Sequence, residues 1–166
     1  MKALLLLIVL PMTALASMTA SDLNSRIEHG GITQFYSTVS DDDWDTIISA
    51  IESGKGEWIG LVPQLASGAD GMYGESLGIA LASAIQNNPD AVLDVLNDKK
   101  YPQMLGIERV CTMPFIEPEN DFIIQYYQKA AAALKTSGSK GTKCLSALNQ
   151  EMQVFTLAIQ ESKETK

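Results

Sequence analysis

Histidine occurs once in this chain, at His29, and cysteine twice, at Cys111 and Cys144. A single histidine excludes histidine-rich zinc sites. A Ser-His-Asp triad would have to use His29, and no G-x-S-x-G elbow is present to seat its serine. Basic residues are scarce in the first part of the chain. Residues 22–98 carry 13 acidic and 2 basic side chains, net −11, against 7 acidic and 9 basic in residues 99–166, net +2. The acidic part repels nucleic acid, whose binding draws chiefly on lysine and arginine contacts to phosphate. Beyond the first ten residues no apolar run approaches the roughly 18–20 residues that cross a bilayer. The stretch SGSKGTK, residues 137–143, has the composition of a phosphate loop, but it lacks the G-x-x-x-x-G-K-[ST] spacing and follows a helical pattern rather than a strand. No cofactor and no metal are expected.

What is present starts with Met1, Lys2, an apolar run over residues 3–10, Pro11 and the small-residue stretch Ala14-Leu15-Ala16. One positive charge, a short hydrophobic segment and an A-x-A site are the pattern of a secretory signal peptide, with cleavage expected after Ala16. With no cysteine before Cys111, the cleavage point lacks the residue that a bacterial lipid anchor requires. The expected product is a soluble single domain, residues 17–166, periplasmic or secreted. Its 150 residues suffice for one core, and the 46% hydrophobic composition argues against disorder. In an exported chain Cys111 and Cys144 are expected to pair as a disulfide. A redox-active or metal-binding thiol pair is the alternative, without a C-x-x-C or a second histidine to support it.

Helical periodicity dominates and strand signals are nearly absent. Ser21 is read as the cap of a short helix over residues 22–29 that Gly30 and Gly31 end. Ser40 caps a second, in which Trp44, Ile47, Ile48 and Ile51 form the i, i+3, i+4, i+7 stripe before Gly54. A short helix holds Trp58, Ile59, Leu61, Val62 and Leu65. Residues 72–86 are apolar nearly all round, with Gly74, Gly78 and Ala82 one turn apart, which predicts a central helix with a groove for a close neighbour. Asn88-Pro89 opens the next. Pro102, Pro114 and Pro118 break the middle of the chain into short pieces. Two longer helices follow, over residues 119–135 and 143–162, joined by a linker, residues 136–142, expected to be exposed. The expected fold is all-α: about seven short-to-medium helices in stacked hairpins or an irregular orthogonal bundle, with one disulfide.

The stretch SDDDWDTIISAIE, residues 40–52, admits two readings. In an EF-hand register Asp41, Asp43, Asp45 and Glu52 fall on ligand positions, but Thr46 stands where the loop needs glycine. In the second reading Ser40 caps a helix and Asp41, Asp42 and Asp43 fill its first turn, where carboxylates meet unpaired N–H groups. The second has no violations and is the one expected. Glu75-Ser76 resembles the catalytic glutamate and serine of lytic transglycosylases, which are helical exported enzymes; the Gly-Leu-Met-Gln type segment that follows in those enzymes is missing.

No residue motif identifies a family. The expectation is therefore a binding protein rather than an enzyme: an exported module, of the immunity or inhibitor kind, that occludes a toxic or cell-wall-degrading enzyme. Its acidic face, Asp41, Asp42, Asp43, Asp45, Glu57 and Asp70, would meet an exported partner with a basic surface. The alternatives are a cell-wall glycan hydrolase centred on Glu75, and a secretion-accessory or structural factor that grips a client through Trp44, Trp58 and its carboxylates.

Overall fold

The computed structural model describes residues 18–164; the expected leader lies outside the described residues. The order of elements is α1 (Ala20–Gly30), α2 (Ile32–Thr38), α3 (Asp41–Glu52), α4 (Gly56–Ile59), α5 (Val62–Ala66), α6 (Gly71–Ala84), α7 (Pro89–Val95), α8 (Pro102–Leu105), α9 (Ile107–Val110), α10 (Asn120–Thr136), a 3-10 turn (Gly138–Gly141) and α11 (Thr142–Glu164). No strand occurs among the described residues. The fold is all-α, with one disulfide joining Cys111 to Cys144.

Local signals explain most of the boundaries. Ser40 caps α3, its hydroxyl accepting from Asp43 N at 3.2 Å, with three aspartates in the first turn. Asn88 caps α7 in the same way, and Pro89 occupies its first turn. The start of α1 corrects the expectation for Ser21. The cap is Thr19: its hydroxyl accepts from Asp22 N at 3.2 Å, and the Asp22 carboxylate accepts from Thr19 N at 2.9 Å. That reciprocal box satisfies two helix-end donors at once, which a cap at Ser21 would not.

Helix α6 is the hub. It packs against α3 along its length and touches α5, α7, α8 and α9. Leu77, Ala80, Leu81, Ala82 and Ala84 are all fully buried on it. The small-residue groove is filled by α8 and α9: a Cβ on Gly74 would meet Met104 Sδ at 3.0 Å, and one on Gly78 would meet Arg109 Nε at 3.1 Å. The α3 stripe, Trp44, Ile47 and Ile51, packs into the same core, each such side chain contributing roughly 1.5–3 kcal/mol. At the other end α10 and α11 pair, and Tyr127 Oη donates to Asn149 Oδ1 across them at 2.9 Å.

One helix lies where no element was expected, and two expectations differ in detail. Residues 32–38 form a helix because Phe35 is buried beside α1, although their β-branched and aromatic composition disguises it. The single helix expected around residues 58–65 is two, α4 and α5, separated at Gly60 and Leu61. The linker is exposed as expected at Thr136, Gly138, Ser139, Lys140 and Thr142, but it is ordered as a 3-10 turn in which Gly141 is buried against the end of α10. Lys140 ties that turn to α7, donating to the Asp90 carbonyl at 3.1 Å and meeting Asp94 at 2.7 Å.

Candidate protein-binding surface

The acidic residues fall on several elements. Asp41, Asp42 and Asp45 are exposed on α3, and residues three and four apart share a helix face, so Asp45 lies beside both of the others. Asp43 points the other way and accepts from Arg26 Nη1 at 2.7 Å, fastening α1 to α3. Glu57 is exposed on α4, and Asp70 stands at the N-cap position of α6 without a side-chain capping bond. The EF-hand register is overturned: residues 41–52 are continuous helix, which points positions 1 and 3 of that register about 200° apart. Among the described residues no group of three or more His, Cys, Asp or Glu is placed to hold a metal ion.

Glu75 sits on the outer side of α6. Its side chain is 51% exposed and lies 3.7 Å from Arg109 Nη2. His29 closes α1, its Nδ1 bonded to the Ser25 carbonyl at 2.7 Å, an ordinary helix-end role. Trp44 and Trp58 are 7% and 4% exposed, so both belong to the core and neither is available to grip a client.

An exposed apolar feature lies elsewhere, in the segment between α9 and α10. Cys111, at the end of α9, is bonded to Cys144 in the first turn of α11, and both are fully buried. From this anchor the chain runs through Pro114 and Pro118, whose rings fix φ, into α10. Met113 and Glu117 adopt φ of +55° and +46°, the left-handed region that costs non-glycine residues roughly 1–2 kcal/mol each. The result is a short ordered loop that tucks Met113 inwards and holds Ile116 out, 69% exposed.

Phe115 packs edge-on against Phe122 at 5.0 Å and against Tyr126 at 4.7 Å. Tyr126 is buried and donates to the Ala82 carbonyl at 2.8 Å, which locks this aromatic group to α6. Phe122 stays 46% exposed. Together with Ile79 of α6, residues Phe115, Ile116, Pro118, Glu119 and Phe122 line an open groove of about 540 Å³, within the range of roughly 300–1,000 Å³ typical of binding clefts. A larger groove of about 680 Å³ along α10 and α11 mixes Tyr127, Met152 and Leu157 with polar side chains, Asn149, Gln153 and Thr156 among them, and is the more polar of the two.

The sequence reading treated Met113-Pro114 and Glu117-Pro118 only as helix breaks. The signal it passed over is the pair Phe115-Ile116 between two prolines: large apolar side chains in a segment that can belong to no helical stripe. No protein-family model, no curated protein and no solved structure matches this chain.

Proposed function

We propose that this protein is an exported binding module of the immunity or inhibitor kind, and that it holds its partner in the groove between α6 and the loop before α10. The carrying observation is the exposure of Ile116 and Phe122 beside Phe115 and Ile79, on a backbone held in a disfavoured conformation. Contiguous exposed apolar surface is costly to a monomer and marks interaction sites, and strained backbone concentrates where function needs it. Aromatic side chains in such a patch are the commonest anchors of protein interfaces. The leader pattern and the buried disulfide support an oxidising compartment. The exposed carboxylates of α3 then act at a distance, speeding encounter with a basic partner while the groove sets residence.

Replacing Ile116 by Asp tests this reading. Because Ile116 is exposed, stability should change by no more than about 0.5 kcal/mol, whereas a partner co-purified from the exported fraction should be lost, with its inhibition. Retention of the partner by that variant would overturn the proposal. Glu75→Gln should leave both binding and inhibition unchanged; a glycan-cleaving activity abolished by that change would establish the hydrolase instead.

A further inference from the structure

We infer that the occupant of the groove is an amphipathic helix of the partner whose apolar side chains are flanked by lysine or arginine, an inference that rests on the binding reading above. The floor, Ile79, Phe115, Ile116 and Phe122, is apolar and accepts the anchor side chains. Glu119 lines the groove, and its exposed sequence neighbours Glu117 and Asp121 add negative charge to the same stretch; the chain carries no basic residue between Glu117 and Lys129, which lies about two helical turns beyond Phe122.

Asp121 lies in the first turn of α10, where a carboxylate meets unpaired N–H groups, but Glu119 has no such role. Glu119 is the residue before α10 and makes no side-chain capping bond; it lines the groove instead. A basic segment therefore meets opposite charge on entering, whereas an acidic one meets like charge, whose juxtaposition at an interface costs several-fold in affinity or more. The same repulsion opposes a second copy of this chain docking groove to groove. Among the described residues there is no sheet edge onto which an extended segment could add, and an open apolar groove accepts the spaced anchor side chains of an amphipathic helix.

The test uses two synthetic 14-residue peptides with leucines at helical spacing, one filled with lysine and the other with glutamate. Each is titrated into the purified, disulfide-intact protein at low salt while backbone amide NMR shifts are followed. The lysine peptide should shift the amides of Ile79 and residues 115–122 and bind at least tenfold more tightly than the glutamate peptide. A Glu117→Gln, Glu119→Gln, Asp121→Asn triple variant should lose roughly tenfold for the lysine peptide. Equal binding of the two peptides in the groove overturns the basic-partner inference and leaves the groove reading intact. Shifts confined to residues 41–45, or no shift with either peptide, sink both. Concentration-dependent dimerisation that Ile116→Asp abolishes would assign the groove to a second copy and overturn the inference.

Discussion

Two residues carry the cost of the exposed loop. Glu117, at φ +46° and in contact with solvent, gains nothing visible from its left-handed backbone except the placement of Ile116 before it and Pro118 after it. Glu117→Gly should raise stability by up to about 1 kcal/mol, the relief of strain being partly offset by the greater freedom of glycine in the unfolded chain. Chemical denaturation with urea checks this, and a loss of stability would show that the torsion is supported by contacts of the glutamate side chain. Tyr126 makes a second prediction. Burial raises its proton affinity well above that of a free tyrosine, and Tyr36 is raised for the same leading reason, then by Tyr73 and Asp70. Below about pH 10 both states of the chain hold these protons and the full stability is present; above it the unfolded chain releases them first, so stability falls as pH rises. Tyr126→Phe should cost about 1 kcal/mol at pH 7, through the lost bond to Ala82, and should flatten the decline between pH 10 and 11. Urea midpoints at the two pH values measure both effects.

At the scale of elements, sequence signals were decisive where they were chemical and local. Ser40 and Asn88 announce α3 and α7 because a short polar side chain before an apolar stripe has one good use, and the α6 glycines announce a close neighbour. Residues 32–38 were illegible because their helix exists through Phe35 packing on α1, a tertiary effect that overrides local preference. The turn before α11 was legible in its exposure but not in its packing. Its glycines, serines and lysines read as a solvated linker, yet a side chain on Gly141 would run into the carbonyl oxygen of Leu134, also approaching the Leu134 carbonyl carbon at 3.1 Å. Gly141→Ala should therefore cost about 1–3 kcal/mol, measured as a lowered denaturation midpoint, although alanine is the better helix former. An unchanged midpoint would mean that the turn and α11 shift to make room.

For the molecule as a whole, composition and the two cysteines indicated class and cross-link, while the candidate binding groove stayed hidden. Its apolar residues come from α6, the loop and α10, which tertiary contacts such as the Tyr126 bond to Ala82 bring together. Replacing both cysteines with serine removes a closed loop spanning 33 positions of separation and should lower stability by about 3–4 kcal/mol on the chain-entropy account, checked by urea denaturation of the oxidised protein and the variant. The same bond has a consequence for resistance to proteolysis. The loop and all of α10 lie inside the covalent ring, so a protease that cuts at the exposed Ile116 leaves both fragments tethered through Cys111 and Cys144. Such a nicked molecule runs as one band until thiols are reduced, and α10 stays attached to the body it was cut from.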